Sequence, residues 1–189
     1  MKFKIGVFGS AIGENFEMRK AAWAIGFNTA TNGGVLITGG CGGLPHEAAR
    51  GATQENGLVI GISPAMNLKE HIEKYGFPAD SFYTFIFTGM ERKGRNIITL
   101  RTCDAAIFIS GRTGTLNEFT IARDEATEEF VIGILKNSGG IIDKILEIED
   151  FVSRKGKGSK ATFVIHDSPY DLVEEVFNQL NLNRQRKEE

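Results

Sequence analysis

The chain has 189 residues, a mass of 20.7 kDa, a formal net charge of −2 and a pI near 6.0, which suits one domain with a single sizeable core and argues against binding nucleic acid through a broad basic face. Apolar residues make up 41% and charged residues 24%, an ordinary globular balance, and no apolar run approaches the ~20 residues of a membrane span. Cys41 and Cys103 show neither zinc nor redox spacing and the amino terminus runs straight into a strand rather than a signal peptide, so a reducing cytoplasm is expected, with no disulfide framework.

Short apolar runs alternate with longer helical patterns along the chain. FKIGVFGS reads as a first strand, ending in Gly9-Ser10, and NFEMRKAAWAIGFNTATNG as a helix stopped by Gly33-Gly34. VLITGG is a second strand, LPHEAARGATQEN a helix with small residues on one face, and GLVIGISP a third strand stopped by Pro64. Residues 66–80 are less regular and suit a lid or a short helix. FYTFIF is a fourth strand, MERKGRNIITLRTC a helix, DAAIFIS a fifth strand and TLNEFTIARDEATEE its following helix. FVIGILK, GIIDKILEIEDFVSRK, ATFVIHD and SPYDLVEEVFNQLN complete the alternation as strand, helix, strand, helix. Residues 1–182 read as one domain, and 183–189 as a polar, frayed carboxyl-terminal tail.

Strands that are apolar throughout and alternate with helices predict an α/β fold: a Rossmann-like, doubly wound, mainly parallel sheet of about seven strands with helices on both faces. Ligands of such sheets bind outside the carboxyl ends of the strands. Glycines gather at that rim: Gly9 after the first strand, Gly39, Gly40, Gly42 and Gly43 after the second, Gly89 after the fourth, and Gly111 and Gly114 after the fifth. The P-loop lysine is absent, and neither glycine segment has the spacing of a dinucleotide fingerprint. What remains is a general device, in which strand–glycine–helix turns present backbone N–H groups at a helix start to an anion. With the Ser10 and Thr115 hydroxyls nearby, a phosphate-bearing ligand is the economical expectation.

Glu118 carries two readings on spacing alone. Thr115-Leu116-Asn117-Glu118 fits a capping box, with Thr115 as N-cap and Glu118 returning to its N–H. A carboxylate close to a helix start also suits an ordered, ionised, ligand-facing group. Arg92, Arg95 and Asn96 share a helical face at spacings of three and four. They suit either a solvated basic face or a cation aimed at a ligand. Cys41 reads as a small loop residue, and Trp23 and the fourteen phenylalanines as core.

Four segments then resemble the LONELY GUY (LOG) family and its relatives, long labelled lysine decarboxylase-like. IGVFGSAIGENF and GVLITGGCGGLPHEAARGATQENGLVIGISP resemble its two glycine segments. GMERKGRN resembles its M-H-x-R-K helix start, and SGRTGTLNE its P-G-G-x-G-T-x-x-E turn. The resemblance implies a Rossmann-like fold, a homodimer or higher homo-oligomer, and hydrolysis of nucleoside 5'-monophosphates to free base and ribose 5-phosphate. It implies Arg92 and Glu118 as catalytic residues. It also implies that Gly111, Gly114 and Thr115 cradle the phosphate; Gly9, Ser10, Gly39, Gly40, Gly42, Gly43, Met90, Arg95, Asn96, Arg112 and Thr113 are the further candidates to line the ligand site. No metal, no cofactor, no nucleic-acid partner and no membrane are expected, and no pyridoxal-phosphate lysine supports the decarboxylase label. The alternative is a non-catalytic carrier or sensor of a nucleotide or molybdopterin-type phosphate ligand. Departures motivate it. The family proline falls on Ser110, its second glycine on Arg112, its methionine on Gly89 and its histidine on Met90. If position 112 needs a positive φ, arginine is strained there, at about 1 kcal/mol or more.

Overall fold

The computed structural model describes residues 1–12, 15–155 and 158–188; the first turn of the LOG-like segment at 13 and 14 therefore lies outside the described residues. Seven strands alternate with seven helices among the described residues: β1 Lys4–Gly9, α1 Phe16–Thr31, β2 Val35–Thr38, α2 Leu44–Gln54, β3 Leu58–Ser63, α3 Leu68–Glu73, β4 Thr84–Phe87, α4 Glu91–Thr102, β5 Ala105–Ile109, α5 Thr113–Glu125, β6 Val131–Leu135, α6 Ile142–Lys155, β7 Thr162–His166 and α7 Pro169–Glu188. The sheet order is β4-β3-β2-β1-β5-β6-β7, and every pairing is parallel. Strand order reverses between β1 and β5, which places a topological switch point, and the crevice such a point creates, at their carboxyl ends.

Alternation along the buried strands separates two cores. Ile107 and Ile109 of β5 join Ile5, Val7 and Leu36 under α1, α2 and α7. Ala106 and Phe108 join Phe8 and Ile37 under α4, α5 and α6. Because side chains of a strand alternate between faces, an uninterrupted apolar run feeds both layers at once.

The small residues of α2 have a packing cause. A Cβ at Gly26 of α1 would lie 1.8 Å from the Ala48 carbonyl oxygen, and one at Gly51 of α2 would lie 2.0 Å from the Trp23 carbonyl oxygen. The two helices touch backbone to backbone, which only glycine allows. Trp23 itself is half-buried and stacks on Phe27 with ring centroids 4.9 Å apart, while Phe16 and Phe151 are exposed; these three depart from the expected core role.

Of the two readings of residues 66–80 the short helix is found, as α3 with Asn67 as its side-chain N-cap. One further expectation changes. The segment expected to fray from 183 continues as α7 through Glu188. Asn183 is buried there and donates to the Glu129 carbonyl, and the Arg184 guanidinium covers the Phe3 ring at 3.8 Å. Composition gave the tail its polar character, but the polar groups have partners across the fold.

Candidate functional site

The turn between β5 and α5 is the centre of the rim. Ser110 has φ +51 and Gly111 φ +93, so the chain leaves the strand through two left-handed residues. A Cβ on Gly111 would overlap the Thr115 hydroxyl at 2.1 Å, so glycine is required by space as well as by φ. Arg112 is the N-cap of α5, with φ −135 and no side-chain cap. The positive φ considered for Arg112 is therefore not found, and the strain falls one and two residues earlier. A proline could not occupy position 110 in this conformation, because its ring holds φ near −65° and it has no N–H. Here the Ser110 N–H donates to Ser138 Oγ at 2.8 Å.

The first helical hydrogen bond of α5 runs from the Leu116 N–H to the Arg112 carbonyl. That leaves the N–H groups of Thr113, Gly114 and Thr115 outside the ladder. A side chain at Gly114 would meet nothing within 4 Å, so the helix start is open on that side. Thr115 is the third helical residue and is buried. It is not the N-cap, and Glu118 is the sixth helical residue rather than the third, so the two form no capping box. The box fails because α5 starts three residues earlier than the T-x-x-E spacing suggests.

Beside this turn lies a cleft of about 370 Å³, lined by residues including Ser10, Asn15, Arg112, Ser138, Gly139 and Gly140. It straddles the switch point. Ser10 is buried, and its hydroxyl donates to the Ile12 carbonyl. Gly140, with φ +62, would carry a Cβ only 2.3 Å from the Gly111 carbonyl oxygen. The turn after β6 is thus packed backbone to backbone against the turn after β5. Sequence reasoning counted the glycine joints after strands one, two, four and five and missed this one, although Ser138-Gly139-Gly140 carries the same signal.

On the other side of α5 lies a buried polar cluster between α4 and α5. Arg95 and Asn96 of α4 face Asn117 and Glu118 of α5. Arg95 Nη1 is 3.6 Å from Glu118 Oε1, and Asn96 Nδ2 donates to Asn117 Oδ1 at 2.9 Å. The Arg95 guanidinium occupies the space where residue 39 would carry a side chain: a Cβ on Gly39 would lie 2.2 Å from Nη2. Burial pushes the Glu118 carboxyl from its ordinary 4.5 up to about 7, against the pull of Arg95 and Lys93. Burial also pushes the Cys41 thiol up, with Arg95 and Arg92 pulling it down, so Cys41 is a neutral thiol rather than a nucleophile.

Arg92 stands elsewhere. It is exposed, with its guanidinium carbon 5.8 Å from the Tyr75 ring centroid and 5.7 Å from that of Phe77. The segment carrying those rings is tied to the start of α4 by Tyr75 and Lys74, which both donate to the Glu91 carboxylate. The cation in contact with Glu118 is Arg95. Lys93 joins the two helices by donating to the Thr113 carbonyl at 3.3 Å. Met90 is the N-cap of α4 and is about half exposed. Of the second glycine segment, Gly40 (φ +66) lies against His71 and Phe85, Gly43 (φ +71) lies against the Ser10 carbonyl, and a Cβ on Gly42 would make ordinary contact with the Ala11 carbonyl oxygen at 3.7 Å. Gly9 brings β1 against the Ile109 carbonyl. Among the described residues no group of three or more His, Cys, Asp or Glu is placed to hold a metal ion, and no helix is long and apolar enough to cross a membrane.

The fold and rim define a Rossmann-like protein of the LOG-related class with a crevice at its switch point. The chain belongs to the SLOG cluster4 family, whose sequence profile matches residues 2–173. It is 34% identical to an uncharacterized protein of Archaeoglobus fulgidus over 122 residues, 65% of this chain and 74% of that one. Its structure is similar to the X-ray structure of TM1055, with a TM-score of 0.78 and 20% identity over 95% of this chain and 99% of that one. It is also similar to the molybdenum cofactor binding protein of Rippkaea orientalis, with a TM-score of 0.72 and 28% identity over 94% and 97% of the two chains.

Proposed function

We propose that the protein binds a phosphorylated, nucleotide-like small molecule at the switch point and acts as its carrier or sensor. The observation that carries this reading is the open start of α5. Three N–H groups, those of Thr113, Gly114 and Thr115, stand free of the helical ladder beside a cleft that Arg112 lines. A phosphate there meets backbone donors, the positive end of the helix dipole and a guanidinium together. Ser10 and Ser138–Gly140 would shape the other wall. The likeness to a molybdenum cofactor binding protein supports a phosphate-bearing cargo rather than a turned-over substrate. So does the position of Arg92, which stacks on Tyr75 and Phe77 instead of joining Glu118.

A second reading, phosphoribohydrolase activity on nucleoside 5'-monophosphates, rests on Glu118. A carboxyl that titrates near 7 can hold a proton for a departing base, while its ionised form can stabilise a cationic sugar. Arg95 would then be the cation that sets its charge. One experiment separates the two: incubate the protein with a panel of nucleoside monophosphates, following binding by calorimetry and free base by chromatography. The carrier reading expects binding without base. Base release lost in Glu118→Gln supports the hydrolase. No binding of any phosphate ligand contradicts both.

A further inference from the structure

At the edge of the sheet opposite the switch point lies a second hollow, of about 270 Å³, which the phosphate reading leaves unused. β1, β5 and β6 are parallel, so the residues that lead into them meet at their amino ends, and the last turns of α7 lie beside them. Phe3, Phe130 and Leu180 give the hollow an apolar wall. Its charges are uneven. Lys2, Lys4, Arg184 and Lys187 line it together with two carboxylates, Asp104 and Glu129. That is a local excess of two positive charges on a chain whose formal net charge is −2.

Two of these cations are neutralised where they stand. Lys4 Nζ lies 2.9 Å from Asp104 Oδ2, and Lys187 Nζ lies 2.9 Å from Glu129 Oε1. The other two are not. Among the described residues neither Lys2 nor Arg184 has an ion-pair partner. Arg184 donates from Nη2 to the Met1 carbonyl at 3.1 Å and lies over the Phe3 ring. Asn183 adds an acceptor. It is 8% exposed and lines the hollow. Its Nδ2 donates to the Glu129 carbonyl at 3.1 Å, which fixes the orientation of the amide. Its Oδ1 accepts no hydrogen bond among the described residues, yet it is not closed off from solvent.

These features select a ligand by its chemistry. One anionic group pairs with Lys2 and Arg184, and a second is repelled by the Asp104 and Glu129 carboxylates. A hydrogen-bond donor beside that anionic group meets Asn183 Oδ1, and an apolar body covers Phe130 and Leu180. The volume lies at the small end of the range for ligand pockets, about 300 Å³ and upward, which suits a compact metabolite. We infer that this hollow binds a small monocarboxylate with an apolar body and a hydrogen-bond donor next to the carboxylate, the chemistry shared by α-amino and α-hydroxy acids. The site and the phosphate-binding rim lie at opposite ends of β1 and β5, so neither depends on the other.

Calorimetric titration of the full chain with L-phenylalanine, 3-phenyllactate, 3-phenylpropionate and phenethylamine tests this. The tighter of the first two is expected to bind at least about fivefold better than 3-phenylpropionate, which lacks the donor. It is expected to bind at least about tenfold better than phenethylamine, which lacks the carboxylate. Preference for phenylalanine identifies an amino-acid site, and preference for phenyllactate a hydroxy-acid site. Arg184→Ala, checked for folding by its melting curve, is expected to weaken that ligand about tenfold. Lys2→Ala, which removes an exposed side chain, is expected to weaken it about threefold. Unchanged affinity in both variants places any binding elsewhere and overturns the inference. So does phenethylamine or 3-phenylpropionate binding as tightly as the better acid, or failure of both acids to bind at millimolar concentration.

Discussion

At the scale of single residues, the site depends on side chains that lie where a different residue would clash. Gly39 makes room for the Arg95 guanidinium. Gly39→Ala is expected to force Arg95 away from Glu118 and to cost about 1–3 kcal/mol by overpacking, read as a lower midpoint in urea unfolding. Arg112 is the opposite case. It is exposed and caps nothing by its side chain, so Arg112→Ala should leave the melting temperature within about 2 °C of wild type. It should weaken a nucleoside monophosphate about tenfold in calorimetry, as loss of a charged partner to phosphate does. Glu118, Arg112, Gly111, Gly114 and Thr115 could be picked out as candidates from the sequence because the G-T-x-x-E segment is local. That Arg95 rather than Arg92 contacts Glu118 could not. Both lie on one helical face by spacing, and only the packing of α4 on Gly39 and of Tyr75 and Phe77 on Arg92 decides which turns inward.

At the scale of elements, the strands were legible because β5 and β6 are buried at every position, and a residue run that must please two cores is apolar throughout. Helix starts were less so. Thr115 carries the cap-forming hydroxyl, yet α5 begins at Thr113, because the turn is fixed from outside, by Ser138 on the Ser110 N–H and by Gly140 against Gly111. Those contacts join segments about thirty residues apart and leave no local trace. Ser110→Pro, a change toward the related family's residue, is therefore expected to destabilise rather than consolidate the turn. It removes a buried hydrogen bond and demands a φ that proline cannot adopt, for a loss of at least about 2 kcal/mol in denaturant unfolding. The α1–α2 contact makes a separate prediction: Gly51→Val should lower stability by at least about 2 kcal/mol without altering ligand affinity, since it lies away from the rim.

At the scale of the whole molecule, the sheet order and the rim belong together. Reversal between β1 and β5 opens the crevice, and the turns after β1, β5 and β6 line it. Holding Glu118 in a dry cluster has a thermodynamic signature. Its folded value of about 7 lies above the ordinary 4.5, so between those values the native state binds more protons than the unfolded state. Stability therefore falls as pH rises from about 4.5 to 7, by up to about 3 kcal/mol from this group. That slope should vanish in Glu118→Gln, as followed by urea unfolding at pH 5 and pH 8. Element order and parallel topology could be inferred from the chain, whereas the handover of polar groups between α4 and α5 could not, because it joins residues about twenty positions apart that carry no shared pattern.

The central claim is that the open start of α5 holds a phosphate. A crystal structure of the protein with GMP tests it most directly. The account predicts the phosphate within hydrogen-bonding distance of the N–H groups of Thr113, Gly114 and Thr115, with Arg112 turned onto it. A phosphate bound elsewhere, or a GMP-saturated crystal in which Arg112 lies across an empty cleft, would contradict it.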